Sequence, residues 1–228
     1  MNIEAFLNFF ARVVTLLLVI PIHESAHALV AKWFGDDTAE RAGRISLNPM
    51  DHFDPIGTIF MVLTGFGWAK PVPINPVRMK KYRAGISLTA LAGPVSNILA
   101  AFVAALAYAL ILCTDAGMKA SISVAVTPLS CVKLLLTYLY QVNIGLAIFN
   151  MIPLPPLDGY NVLIYFTPAK VDRWFHKHQQ EISITFFIVI IGLSYIPSRY
   201  NPLYYARNFV SGLLWDTVKW IPKLKWGY

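Results

Sequence analysis

The chain has 228 residues, of which 57% are hydrophobic and 14% are charged, and this composition excludes a single soluble domain. The formal net charge of +7 does not indicate nucleic acid, because the basic residues lie between apolar segments, where anionic lipid headgroups can attract them. The two cysteines, Cys113 and Cys131, are too few for a disulfide framework or a thiolate metal cluster. We therefore expect a single membrane domain over residues 1–228, with the lipid bilayer and not nucleic acid as its surroundings.

The first apolar segment runs from about residue 3 to residue 34 and has the length of a tilted membrane-spanning helix. Gly35, Asp36 and Asp37 mark its end. No basic cluster precedes it and no small-residue cleavage site follows it, so we expect the segment to stay in the mature protein.

Residues 36–83 differ from the rest of the chain, because prolines and glycines interrupt short apolar runs such as Thr58 to Leu63. This pattern predicts a small membrane-associated β-strand insert, with turns, between the first and second spanning helices. Irregular backbone is tolerated at membrane depth only where protein or a water-filled cavity covers it. The insert is therefore a candidate wall or lid for a site.

Further apolar segments follow the insert. Residues 84–112 and 124–151 are predicted spanning helices, and residues 182–196 are barely long enough for another crossing. The aromatic tail, residues 202–228, either lies in the membrane interface or crosses the membrane. No internal repeat is evident, so inverted-repeat transporters gain no support. The predicted fold is an α-helical polytopic membrane protein with four to six transmembrane segments.

The charged loops predict the orientation of the chain in the membrane. Basic residues precede the second spanning helix and follow the third, whereas the link between these helices is nearly neutral. The basic positions are Lys70, Arg78, Lys80, Lys81, Arg83, Lys170, Arg173 and Lys177. Because basic loops stay in the cytoplasm, the first helix should run inward from an outside N-terminus. Its polar end and Asp158, which follows the third helix, should then meet on the cytoplasmic side.

His23, Glu24 and His27 form a His-Glu-x-x-His pattern on the first predicted helix. Residues four apart differ by about 40 degrees around a helix, so both imidazoles can bind one zinc ion while Glu24 can take a proton from the attacking water. In a soluble chain the same pattern is often a solvated helix face. Here it interrupts an apolar segment, where two histidines and a carboxylate are costly unless something pairs with them, and this favours a metal site.

A catalytic zinc ion usually has three protein ligands and an open position for water, so a third ligand is required. Asp158 is the best candidate, because prolines end the third helix just before it and Gly159 gives its carboxylate room to turn inward. The alternatives are Asp51, His52 and Asp54, which lie in the turn-rich insert, and His176 and His178, which lie in a charged loop and do not share a helix face.

Further motifs lie between about residue 20 and residue 166. Beside His23 to His27 they are Gly43 to Pro49 with His52, Asp54, Pro55 and Gly57, then Gly67 to Pro73, Ala92 to Pro94 with Asn97, and Asn150 to Gly159. Together these motifs resemble the site-2 protease family of intramembrane zinc metalloproteases, in its compact prokaryotic form. The family often has Asn-Pro-Asp-Gly where this chain has Pro156 to Gly159.

The resemblance implies that His23, His27 and Asp158 hold one zinc ion and that Glu24 is the general base. It also implies that the segment from about residue 58 to residue 73 forms a membrane-embedded strand element beside the substrate.

The resemblance suggests Asn97 as a substrate or oxyanion contact, and Asn150 is a second candidate for that role. Hydrogen bonding between helices is the alternative for both and for Asn143, because an amide inside the membrane needs a partner. Arg44 and Lys70 could stabilise an oxyanion, or they could extend to the lipid headgroups.

We therefore expect an intramembrane zinc metalloendopeptidase that hydrolyses peptide bonds in or near the transmembrane segments of single-pass membrane-protein substrates, as in regulated intramembrane proteolysis. It should be a multi-pass protein of a prokaryotic cell membrane, with its active site toward the cytoplasm, and its oligomeric state is left open. The alternatives are a membrane metal transporter and a catalytically silent scaffold. A transporter is disfavoured because neither the second nor the third helix contains a histidine that could extend an ion path.

Overall fold

A computed structural model describes residues 3–57, 69–122 and 126–226. Its helices are α1 (Ile3–Trp33), α2 (Thr38–Arg41), α3 (Tyr82–Leu112), α4 (Asp115–Ile122), α5 (Pro128–Asn150), α6 (Asp158–Ile164), α7 (Ala169–Lys177), α8 (Gln179–Ser194), α9 (Pro202–Asp216) and α10 (Trp220–Trp226). Short 3-10 turns lie at Pro49–Asp51, Pro76–Arg78 and Ser198–Tyr200. The described residues are therefore mostly helical, as predicted.

Helices α1, α3 and α5 are long and apolar enough to cross a membrane. They have 31, 31 and 23 residues. At about 1.5 Å per residue, each exceeds the hydrocarbon core of roughly 30 Å. Large apolar side chains on their outer surfaces are exposed, among them Phe9 and Phe10 on α1 and Leu99 and Val103 on α3. Such surfaces are expected where helices contact lipid tails, so the chain is a membrane protein.

The number of long helices is lower than the four to six segments that the sequence predicts. Within the described residues three helices reach the required length. The segment predicted at residues 182–196 is α8, which has 16 residues, whereas a crossing needs about 20. The aromatic tail forms α9 with 15 residues and α10 with 7. None of these three helices reaches the usual crossing length by itself.

The tail packs along the long helices. At the start of α9, Leu203 lines a cavity together with Phe149, which lies at the end of α5. At the end of α10, the indole N–H of Trp226 donates to the carbonyl of Leu112, the last residue of α3, at 2.9 Å. Helices α9 and α10 together therefore run from one end of the three-helix group to the other.

The insert does not form the predicted strand element within the residues that the structure describes. Its β structure there is limited to an isolated antiparallel bridge between Phe53 and Ala69. Asn48 and Asn75 instead cap 3-10 turns, because each side chain accepts a backbone N–H and a proline follows it. The predicted strand run from Thr58 to Leu63 lies outside the described residues.

Both ends of the insert are joined to the end of α1. The buried carboxylate of Asp36 accepts the backbone N–H of Thr38 at 3.0 Å and that of Asn75 at 2.6 Å. Burial raises the pKa of Asp36, but the hydrogen bonds from Thr38 and Asn75 outweigh burial and hold the pKa below its ordinary value. The N–H of Lys80 also donates to the carbonyl of Phe34 at 2.8 Å. The insert therefore leaves and returns at the same end of α1, close to the His-Glu-x-x-His pattern.

Helix α3 contacts both α1 and α5. Ala101, Ala104 and Ala105 are buried on α3, and small residues allow helix backbones to approach closely in a membrane. Thr89 and Asn97, nearer the start of the same helix, are buried polar residues. The packing therefore brings polar positions of α3 against the histidine-bearing part of α1.

Candidate metal centre

Helix α1 presents the two histidines of the His-Glu-x-x-His pattern on one face. His23 and His27 are each 6% exposed, and their Nε2 atoms lie 3.1 Å apart. One helical turn separates the two residues, so their imidazoles can bind the same ion.

Asp158 reaches the histidines because the turn between α5 and α6 brings it there. Its Oδ2 atom lies 3.3 Å from Nε2 of His23 and 3.4 Å from Nε2 of His27. A Cβ at Gly159 would lie 2.6 Å from the carbonyl oxygen of Ile152, so glycine is required where α6 begins against this turn. Oδ2 of Asp158 is buried and has no hydrogen-bond partner among the described residues. A buried carboxylate oxygen without such a partner is suited to binding a cation.

The three ligand atoms fit one zinc ion. Tetrahedral zinc with bonds of about 2.0–2.2 Å would hold its ligand atoms about 3.3–3.6 Å apart. The three separations here are 3.1, 3.3 and 3.4 Å. Gly93 on α3 keeps the space open, because a Cβ there would lie 2.6 Å from Cε1 of His27. Two imidazoles and one carboxylate also form a donor set that zinc accepts, with a position left for water.

Helix α3 bonds to the other ring nitrogen of each histidine. Nδ1 of His27 donates to the backbone carbonyl of Thr89 at 2.7 Å. Nδ1 of His23 lies 2.5 Å from Oδ1 of Asn97. When Nδ1 carries the proton, Nε2 has a free electron pair for a metal, and the ring is held in place. These contacts therefore support binding of the metal through the two Nε2 atoms.

Glu24 lines a cleft of about 470 Å³ that also contains the three candidate ligand residues. Asn150 lies in the same cleft, and Pro71 and Val72 of the insert form part of its wall. Helix α1 therefore supplies a carboxylate, and α5 an amide, to the space in which a substrate could meet the metal.

The other metal ligands considered from the sequence have different partners. Nε2 of His52 donates to the carbonyl of Ser46 at 2.8 Å. His176 pairs with Asp172, and Nδ1 of His178 donates to the carbonyl of Trp174. Asp51 accepts from Asn48, and Asp54 accepts from the N–H of Gly57. Among the described residues, His23, His27 and Asp158 form the group of three side chains that could hold a metal.

Asn97 and Asn150 have different surroundings. Asn97 is fully buried, with Oδ1 facing His23 and Nδ2 donating to Asn143 at 2.7 Å. Asn150 is partly exposed in the cleft. Asn150 is therefore open to the cleft, whereas Asn97 is enclosed between His23 and Asn143.

Two side chains connect α1 to the cleft wall: Ser25, which the sequence did not assign to the site, and Arg44, for which the sequence left two roles open. The Ser25 hydroxyl, between the two histidines in sequence, donates to the carbonyl of Ser46 and accepts its N–H. Arg44 is 3% exposed, and its guanidinium donates to the carbonyls of Lys70 at 2.5 Å and Pro71 at 3.1 Å. Arg44 therefore holds the wall of the cleft and does not extend to the lipid headgroups.

We predict that Arg44→Met will weaken substrate binding without removing the metal. The substitution keeps the apolar stem but leaves the carbonyls of Lys70 and Pro71 without their charged donor. Hydrogen bonds to a charged group are worth about 1.5–3 kcal/mol each, so the wall should loosen. Expected results are a raised KM in a cleavage assay, a lowered thermal unfolding temperature in detergent, and unchanged zinc content.

Arg41→Met is the matched control for this prediction. Arg41 lies three residues earlier, pairs with Asp37 at the surface, and has a side chain that is 66% exposed. Its loss should leave KM unchanged, since exposed ion pairs contribute little. A folded Arg44→Met protein with the KM of the wild type would contradict the role given to Arg44.

Long apolar helices that carry a His-Glu-x-x-His pattern against a distant aspartate define a class of protein, the membrane-embedded metalloproteases. The sequence matches a model of Peptidase family M50 over residues 11–194. The chain therefore belongs to this family, the site-2 protease family, and is a zinc metalloprotease. The resemblance that the sequence motifs indicated is confirmed.

Two relatives agree with this assignment. The chain is 38% identical over 179 residues to "Putative zinc metalloprotease YwhC" of Bacillus subtilis, covering 78% of this chain and 79% of that protein. It is 26% identical over 152 residues to "Putative zinc metalloprotease Rip2" of Mycolicibacterium smegmatis, covering 64% of this chain and 53% of that protein. No solved structure gives a significant match.

Proposed function

We propose that this protein is an intramembrane zinc metalloendopeptidase that cuts membrane-protein substrates in or near their transmembrane segments, as in regulated intramembrane proteolysis. The observation that carries the proposal is the convergence of His23, His27 and Asp158 within 3.1–3.4 Å of one another, at a cleft between apolar helices. The same cleft contains Glu24, so a metal site and a carboxylate base share one space.

Each polar residue of the cleft has a role in this proposal. His23, His27 and Asp158 hold the zinc ion, which when bound supplies a more acidic water and polarises the scissile carbonyl. Glu24 accepts a proton from the attacking water and delivers it to the leaving nitrogen. Asn150 is the candidate donor to the substrate carbonyl, because its amide lies in the cleft.

The proposed substrate is a single-pass membrane protein that unwinds locally. The carbonyls of a helix are occupied by its own hydrogen bonds, so a cut within a spanning helix requires an extended stretch. Pro71 and Val72 of the insert line the cleft. The guanidinium of Arg44 donates hydrogen bonds to the backbone carbonyls of this segment and fixes its position. A substrate strand placed along this wall would have its backbone next to the zinc ligands.

The proposed orientation has the cleft on the cytoplasmic side of a bacterial cell membrane. Support comes from the two basic loops, which meet: the guanidinium of Arg83 donates to the carbonyl of Thr167 at 2.9 Å. Loops of this charge stay in the cytoplasm. Both of the relatives above are bacterial proteins.

Four crossings are the arrangement that we favour. Helices α1, α3 and α5 supply three of them. The tail supplies the fourth, because it extends from Phe149 at one end of the long helices to Leu112 at the other. Helix α8 would then not cross the membrane but lie at the end of the long helices that contains the cleft. Its end is joined to the start of α9 there, because the side-chain amide of Asn201 donates to the carbonyl of Leu193.

The test is cleavage by the purified zinc-loaded protein in liposomes that also contain a panel of single-pass membrane proteins. We expect products whose new termini, read by mass spectrometry, lie within or next to the spanning segment. A second arm measures zinc uptake into the same liposomes without substrate. Uptake without cleavage would favour the metal transporter, and bound zinc with neither result would favour the scaffold.

A further inference from the structure

A chain of buried amides leads from the candidate zinc site into the third long helix. Asn97 on α3 is 0% exposed and Asn143 on α5 is 1% exposed. Nδ1 of His23 faces Oδ1 of Asn97 at 2.5 Å, Nδ2 of Asn97 donates to Oδ1 of Asn143 at 2.7 Å, and Nδ2 of Asn143 donates to the carbonyl of Leu139 at 2.8 Å. This series of hydrogen bonds therefore links His23 on α1 to the backbone of α5.

The donor and acceptor of every hydrogen bond in this series of amides follow from its last member, the carbonyl of Leu139. The carbonyl of Leu139 can only accept, so Asn143 must turn its NH₂ group toward it. The oxygen of Asn143 then faces Asn97, which must in turn present its own NH₂ group. The oxygen of Asn97 is left facing His23. Each amide has one reasonable orientation, because the opposite one would place like groups against each other.

The hydrogen bond between Asn97 and His23 determines the tautomer of His23. An oxygen facing Nδ1 accepts, so Nδ1 must carry the proton and Nε2 must carry the free electron pair. Nε2 is the atom that lies 3.1 Å from Nε2 of His27 and 3.3 Å from Oδ2 of Asp158. His27 obtains the same tautomer directly, since its Nδ1 donates to the carbonyl of Thr89.

We propose that Asn143 is a positioning residue of the zinc site, which fixes the metal-binding tautomer of His23 through Asn97. Asn143 does not touch the ligand atoms and lies on a different helix from both histidines. Its oxygen keeps the Asn97 amide from rotating by half a turn. The inference rests on the zinc site of the proposed function but not on the nature of the substrate.

Two substitutions of similar shape separate this role from packing. Asn143→Leu fills the same space without a polar atom, so the Asn97 amide can turn over and offer its NH₂ group to His23. Asn143→Asp, with its buried carboxyl group neutral, keeps an oxygen that accepts from Asn97 and an O–H that donates to the carbonyl of Leu139. We expect zinc affinity, measured by competition with a chelator, to fall by about 10–100-fold in Asn143→Leu and to stay close to wild type in Asn143→Asp.

The second measurement is made on the wild-type protein without metal, so it does not depend on whether either Asn143 variant folds. In protein labelled with ¹⁵N-histidine, the His23 signal, assigned by its absence in His23→Gln, should have the nitrogen shifts of an Nδ1–H tautomer. An Nε2–H tautomer in the wild type would overturn the proposal, as would equal losses of zinc affinity in both Asn143 variants or no loss in either. Neither readout involves cleavage, so failure of the proposed function would leave this test intact.

Discussion

Glu24→Gln is expected to retain one zinc ion per chain and to lose cleavage by about 10²–10⁴-fold, the range that general-base catalysis contributes. Glutamine has nearly the shape of glutamate but cannot accept the proton of the attacking water. Glu24 is not one of the three residues grouped around the candidate ion position. The measurements are zinc content by metal analysis and the rate of product formation from a single-pass substrate in liposomes.

Glu4→Gln is the control for this change, because it makes the same substitution in the same helix, 20 residues before Glu24, or about 30 Å along α1. The control should cleave at the wild-type rate. Full activity in a Glu24→Gln protein would remove the assigned base. Loss of both zinc and activity would instead place Glu24 among the groups that hold the metal.

The candidate ligands could be predicted from the sequence for two reasons. Helix periodicity depends only on local spacing, and the charges of the loops indicate at which side of the membrane each helix ends. The spacing of His23 and His27 fixes their common face on any helix. Asp158 follows the prolines that end the third helix, and the charged loops predict that it lies on the side where the first helix ends. Its carboxylate lies 3.3–3.4 Å from the two Nε2 atoms. Two separate features of the sequence thus predict the same cluster.

The contacts that build the wall of the cleft could not be predicted in this way. Arg44 and Pro71 are 27 residues apart and lie in segments without periodicity. The sequence suggested that Arg44 either stabilises an oxyanion or extends to the headgroups. Its actual partners are two backbone carbonyls, and a backbone group has no signature in a sequence. The same applies to the carbonyl of Thr89, which holds His27.

The strand prediction for the insert is not supported within the described residues, for a related reason. Alternating short apolar runs indicate strands only if a partner strand satisfies their backbone groups. In the described part of the insert, side chains satisfy them instead: Asp36, Asn48 and Asn75 each accept backbone N–H groups. These are the residues that favour turns, and they were visible in the sequence.

Asp158→Asn is expected to lower zinc affinity far more than any substitution of a residue that only hydrogen-bonds to a ligand or holds it in place. Changes to groups that hold a ligand in place cost about 10–100-fold in metal affinity, whereas this one removes a ligand charge and leaves two neutral imidazoles. The amide keeps the shape of the side chain, so the turn that places it against His23 and His27 should persist. Zinc affinity by chelator competition should therefore fall by more than about 100-fold.

Asp172→Asn serves as the comparison, because Asp172 on α7 accepts the hydroxyl of Tyr160 on α6 and pairs with His176. It is not one of the three residues grouped around the candidate ion position. Its zinc affinity should equal that of the wild type. If Asp158→Asn also kept its zinc, another group would have to complete the coordination of His23 and His27, and Asp158 would be left without its role. Loss of zinc from Asp158→Asn alone would identify the carboxylate as the third ligand, because shape and fold are held constant between the two variants.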